Sequence, residues 1–116
     1  MLPPMASIPF KRYSVYWVDL DPTRGRELKK TRPAVIVSQD ALNEALDTVV
    51  ICPLTSTLHP TWRTRLQIGL NHNQSEIAID QIRVVSKDRL TPRKIGDLSP
   101  KEQAALRDLL SEAYAQ

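Results

Sequence analysis

Residues 24 to 32 hold five cations and one acid: Arg24, Arg26, Lys29, Lys30 and Arg32 around Glu27. The segment ends at Pro33 and runs straight into the apolar stretch Ala34-Val35-Ile36-Val37 before Ser38. Arg32 thus stands where a cationic loop meets a rigid element. A guanidinium placed there can hold two oxygens of a phosphoryl group and stabilise charge developing on it. Thr55 occupies the matching place at the end of a second apolar run, Val49-Val50-Ile51-Cys52-Pro53-Leu54. If the two runs lie side by side, its hydroxyl can donate to the same group. Residue type alone leaves bland alternatives open: a solvated loop at Arg32 and a β-branched strand end at Thr55.

Other chemistries fit poorly. His59 and His72 are the two histidines, and neither has a cysteine or carboxylate at ligand spacing, so no metal site is expected. They could form an acid–base pair, but both sit beside turn residues, and a surface role is the simpler reading. Three glycines cannot build a Gly-rich phosphate loop, and no cofactor is implied. Cys52 is the single cysteine, set among aliphatics, and reads as a buried, inert thiol.

The elements that must position these groups follow from the pattern of apolar residues. Tyr13 to Leu20 reads as a first strand and Pro33 to Ser38 as a second. Asp40 is expected to cap a short helix from Ala41 to Leu46. Thr48 to Leu54, apolar on both sides, is expected to be a central strand. Arg63 to Gly69 alternates, with Arg63, Arg65 and Gln67 outward and Thr64, Leu66 and Ile68 inward. A turn is expected over Asn71 to Ser75, then extended chain through Ser86 and a short strand near Arg93 to Leu98. Ser99-Pro100-Lys101-Glu102 is a capping box with proline in the first turn. Leu106, Leu109, Leu110 and Ala113 then form one helical stripe. Short strands without βαβ alternation imply a curved antiparallel sheet or partly open barrel with helices packed on it.

The chain has 116 residues, one domain's worth, and a formal net charge of +3. No Lys or Arg falls between Pro33 and Trp62, so the cations gather in the loop before Pro33 and from Arg63 onward. Such clustering suits a phosphate backbone or an acidic protein partner. No apolar run is long enough to span a bilayer. Residues 1–12, with three prolines before Lys11, read as a loose extension ahead of a single domain over residues 13–116. A cytoplasmic setting is expected.

Five motifs in order resemble the MazF/PemK family of mRNA interferase toxins. They are Trp17-Val18-Asp19-Leu20-Asp21-Pro22, Gly25-x-Glu27, Arg32-Pro33-Ala34-Val35-Ile36-Val37-Ser38, Pro53-Leu54-Thr55-Ser56 and Asp80-Gln81-Ile82-Arg83. The resemblance runs from Tyr13 to the last helix. It implies an SH3-like, partly open barrel with a short helix and a C-terminal helix, the CcdB/PemK-like fold, and a homodimer. It further implies metal-independent cleavage of single-stranded RNA, leaving a 2′,3′-cyclic phosphate and a 5′-hydroxyl, and neutralisation by an acidic, MazE-like antitoxin. On the motif matches, Arg32 and Thr55 would be the catalytic pair. Glu27 would be a general base or the ion-pair partner of Arg32. Arg26, Lys29, Lys30, Ser56, Trp62, Asp80 and Gln81 would bind the substrate. Arg26 and Ala78 depart from the family pattern. The alternatives are a non-enzymatic, CcdB-like toxin that binds DNA gyrase and an RNA-binding barrel without turnover.

Overall fold

The computed structural model describes residues 10–20 and 31–115. Among these residues there are seven strands: β1 (Ser14–Asp19), β2 (Thr31–Ile36), β3 (Thr48–Thr55), β4 (Arg65–Leu70), β5 (Asn73–Ala78), β6 (Arg83–Ser86) and β7 (Leu90–Asp97). Helix α1 (Asp40–Ala45) links β2 to β3, and α2 (Pro100–Tyr114) ends the fold. The strand order is β4-β5-β3-β2-β1-β7, with β6 also on β3. All pairings are antiparallel.

Strand β3 is the hub. One edge pairs with β2 from Ala34↔Pro53 to Ile36↔Ile51. The other edge pairs first with β6, over Thr48 to Ile51, and then with β5, at Leu54↔Ile77 and Thr55↔Glu76. Pro53, which has no N–H to give a ladder, falls in the gap between those two partners. A proline is tolerated in this central strand for that reason.

The pleat sends alternate residues of β3 into two cores. Cys52 and Leu54 join Val15, Val35, Ile77, Ile79 and Leu106 on one face. Val49 and Ile51 join Tyr16, Val18, Ala34, Ile36 and Val85 on the other. Val15, Ile36, Ile51, Leu54, Ile77 and Leu106 are fully buried, so burial on both faces explains the runs without polar alternation. The barrel nearly closes where edge strands β7 and β4 meet. A Cβ on Gly96 would stand 3.1 Å from Leu70 Cδ1, and the Asn71 side chain donates to Ile95 O at 3.4 Å. Helix α2 opens on the expected capping box, with Glu102 N donating to Ser99 Oγ and Ser99 N to Glu102 Oε1.

Four local expectations change. Asp40 is the first residue of α1, not its cap. Gln39 holds the cap position, and Asp40 Oδ1 accepts from Arg12 N at 2.7 Å. The turn after β4 is only Asn71-His72, both with positive φ (50° and 68°), so Asn73 to Ser75 belong to β5. Two left-handed residues match the twist of a tight hairpin, and Asn and His tolerate that region better than most. The domain also reaches into the supposed extension: Phe10 is buried edge-on against Tyr16 at 4.9 Å, and Arg12 Nε donates to Val37 O. Finally, Arg65 does not point into solvent, as described next.

Candidate active site

The β2–β3 ladder ends at Ala34↔Pro53, and Arg32 and Thr55 stand two residues past it, one on each strand. Pleat alternation puts both on the face of Ala34 and Ile51. The two residues thus share an edge and a face, as the phosphoryl-holding arrangement requires. Arg32 is exposed, so its guanidinium is open to an incoming anion. Thr55 Oγ1 accepts from Thr57 N at 3.1 Å. That bond uses a lone pair and leaves the hydroxyl proton to donate. Ser56 follows, exposed, at the start of the loop to β4.

Across the β3–β5 ladder Thr55 pairs with Glu76, and across β5–β4 Glu76 pairs with Gln67. A polar row therefore crosses β2, β3, β5 and β4: Arg32, Thr55, Glu76, Gln67. Glu76 has no solvent exposure. Its carboxylate accepts from the His59 backbone N (2.6 Å), Arg65 Nη1 (2.8 Å) and Gln67 Nε2 (2.5 Å). Burial pushes its pKa up, but the hydrogen bonds from Gln67, Arg65 and His59 N and the charge of Arg65 outweigh it, and the net shift is downward.

Arg65, whose side chain is 6% exposed, also reaches Asp80 through Nε at 2.9 Å. That hydrogen bond is the chief reason the Asp80 pKa lies below its ordinary value. The Arg65 guanidinium lies 4.6 Å from the centre of the Trp62 ring, and Trp62 stacks on His59 at 3.8 Å with 10° between the planes. Trp62 and Asp80, both expected to meet substrate, are thereby joined through Arg65. Gln81 is exposed and closes the short 3-10 turn that carries Asp80.

The expected residues Arg26, Glu27, Lys29 and Lys30 lie outside the described residues. The two histidines sit on different elements, His72 in the β4–β5 turn and His59 in the loop after β3. The described residues hold no cluster of three or more His, Cys, Asp or Glu able to bind a metal. Sequence reasoning missed Glu76 and its pairing with Arg65. The signal was there: a two-residue turn at Asn71-His72 fixes Gln67 opposite Glu76, whereas a five-residue turn hides that register.

Residues 11–114 match the family described as PemK-like, MazF-like toxin of type II toxin–antitoxin system. Endoribonuclease MazF9 of Mycobacterium tuberculosis is 32% identical over 111 residues, covering 86% of this chain and 92% of that protein. A mycobacterial endoribonuclease solved with its cognate antitoxin superposes with a TM-score of 0.74 at 27% identity, over 89% of this chain and 92% of that one. MazF from Deinococcus radiodurans, solved with MazE, shares the fold with a TM-score of 0.74 at 20% identity, over 89% and 93% of the two chains. Matched over residues 11–114 and 32% identical to a curated relative, the chain belongs to the PemK-like, MazF-like toxins of type II toxin–antitoxin systems.

Proposed function

We propose that this toxin is a sequence-selective, metal-independent endoribonuclease acting on single-stranded mRNA. The carrying observation is the placement of Arg32 and Thr55 two residues past the Ala34↔Pro53 pair on adjacent strands. The likeness to a relative named as an endoribonuclease supports it, and weighs against the gyrase-binding alternative.

In this mechanism the ribose 2′-hydroxyl attacks the adjacent phosphorus in line. The P–O5′ bond breaks and the departing oxygen takes up a proton from water, leaving a 2′,3′-cyclic phosphate and a 5′-hydroxyl. RNA supplies its own nucleophile, so DNA is not cut. Arg32 grips the non-bridging oxygens and stabilises their growing charge, and Thr55 donates to the same group. Glu27 takes the 2′-hydroxyl proton, or orients Arg32 by an ion pair. A carboxylate is the better base, since an arginine with a pKa above ~12 holds its proton. Ser56, Trp62, Asp80 and Gln81 meet the bases, while Arg26, Lys29 and Lys30 meet the backbone. No cofactor is needed.

The toxin works in the cytoplasm as a homodimer. The exposed apolar side chains Trp17 and Val84 on the barrel and Tyr114 on the last helix support that assembly. An acidic, MazE-like antitoxin neutralises it. The test is end-mapping on a long RNA in EDTA: new 5′-hydroxyl ends support the enzyme. Retardation without ends means a binder, and the absence of both directs attention to a protein target.

A further inference from the structure

The loop between Thr55 and Arg65 is tied at short intervals. Thr57 N bonds Thr55 Oγ1, His59 N bonds Glu76, Trp62 N bonds His59 O, and Arg65 N bonds Trp62 O. Its fixed point is a carboxylate with no solvent exposure, paired to a guanidinium 6% exposed. Burying such a pair is costly, and an apolar pair of similar volume commonly serves stability as well or better. What this pair does that an apolar one cannot is hold a backbone N–H of the loop and, through the same guanidinium, Asp80 and the Trp62 ring. Trp62 has His59 stacked on one face and the Arg65 guanidinium over its ring, so its 47% exposure lies at the ring edge, and the face the stack offers to a base is the outer one of the partly exposed His59.

We infer that Arg65 and Glu76 are positioning residues that fix the His59–Trp62 stack beside Thr55 as the platform for one unpaired RNA base next to the cleaved phosphodiester. The inference rests on the RNA-cleaving reading above. An aromatic face stacks on any base without being paired to it, and losing one such stack costs about 5- to 150-fold in affinity. A platform already ordered in the free protein spares the entropy of fixing it on binding. Neither Arg65 nor Glu76 need touch the RNA.

The test uses the full chain with Trp17→Phe, so that Trp62 is the sole tryptophan emitter. The probe is a short oligoribonucleotide containing a mapped site, with a 2′-O-methyl group blocking the nucleophile. Saturating probe should change Trp62 emission. On the cleavable oligomer, Trp62→Ala should raise KM about tenfold or more with a smaller change in kcat, and Trp62→Phe should restore most of the loss. Glu76→Gln, which keeps an acceptor for His59 N but loses the charge facing Arg65, should raise KM in the same way. If that variant does not fold, Arg65→Lys, which keeps the charge but not the fork, reports on the same arrangement. Emission unmoved by saturating probe, or KM indifferent to Trp62→Ala, overturns the platform. KM indifferent to the changes at Glu76 and Arg65 overturns their positioning role. Arg32-dependent cleavage would stand through either result. Conversely, if the wild type yields no 5′-hydroxyl ends from a long RNA, yet the Trp17→Phe chain shifts emission with a short 2′-O-methylated oligoribonucleotide, the platform is supported and the cleavage reading sinks instead.

Discussion

Thr55 is paired with Glu76 at the last rung of the β3–β5 ladder, so the hydroxyl assigned to the phosphoryl group adjoins a fully buried carboxylate. The backbone of Thr55 is held on that side by a strand whose own side chains are locked by charge. Arg32, two residues past the end of the neighbouring ladder, is exposed instead. In the proposed mechanism Thr55 is held in place by its ladder and Arg32 closes on substrate.

Arg32→Ala and Thr55→Ala should each leave the fold intact and lower cleavage on the order of a hundredfold, the usual effect of removing one donor aimed at developing charge. Circular dichroism checks the fold and counting of 5′-hydroxyl ends checks the rate. Two folded variants with near-normal turnover would remove these residues from the mechanism.

Acid should destabilise the protein through Glu76 and Asp80. Both pKa values lie below their ordinary 4.5 and 3.8 in the folded state. The stability they confer is complete above those values and is lost as pH falls toward the folded ones. Urea midpoints measured from pH 7 downward should drop steeply below about pH 4.5, and Glu76→Gln should flatten that drop. An unchanged profile would mean the pair is not coupled to folding.

Cys52 should resist alkylation in the native state. It has no exposure, and burial, helped by the negative charge of Asp80, raises its thiol pKa to about 12. Iodoacetamide labelling should therefore proceed no faster than unfolding, and denaturant should restore the ordinary thiol rate. Rapid native labelling would contradict the burial.

Leu106→Ala should cost about 2–5 kcal/mol, the range for a leucine truncated in a core that cannot fully collapse. Leu106 is fully buried and packs α2 against the sheet. A thermal or urea melt measures it. A loss under 1 kcal/mol (a small effect by that scale) would mean that α2 docks mainly through other contacts, such as the Tyr114 hydroxyl on Ile79 O at 2.7 Å.

Lys29→Ala with Lys30→Ala should weaken both RNA and antitoxin binding and leave the barrel intact. A disordered acidic segment can lie across the same cationic stretch that phosphates use. Both affinities should fall with salt, RNA more steeply because counterions leave its backbone. Titrations at several ionic strengths decide it: antitoxin binding indifferent to salt and to both lysines would place the antitoxin on another face.

The barrel was legible because burial on both faces writes itself into sequence. The apolar run from Thr48 to Leu54 reads as a central strand, and the capping box at Ser99 marks the last helix. The Arg-Pro and Leu-Thr motifs flagged Arg32 and Thr55, since each closes such a run. Glu76 and Arg65 escaped notice because alternation assigns a charged side chain to solvent by default. Only the hairpin register reveals that each lies opposite a partner, and that register depends on whether the turn holds two residues or five. Asp40 misled for a related reason: its type suits a cap, but a backbone N–H of Arg12 from elsewhere in the chain claims its carboxylate.

Strand β1 takes β7 on its outer edge, with Ser14 opposite Asp97 and Ser14 Oγ donating to Asp97 Oδ1 across 83 residues of sequence. No nascent chain that stops short of Leu90 has any of the β7 residues that seal that edge. Throughout its synthesis the growing polypeptide therefore carries an open strand edge able to pair with the wrong neighbour. Loop-closure entropy makes such distant pairing a slow step in folding. A chain terminated before β7 keeps that edge open and is prone to aggregate, so such truncated products should be insoluble rather than partly toxic.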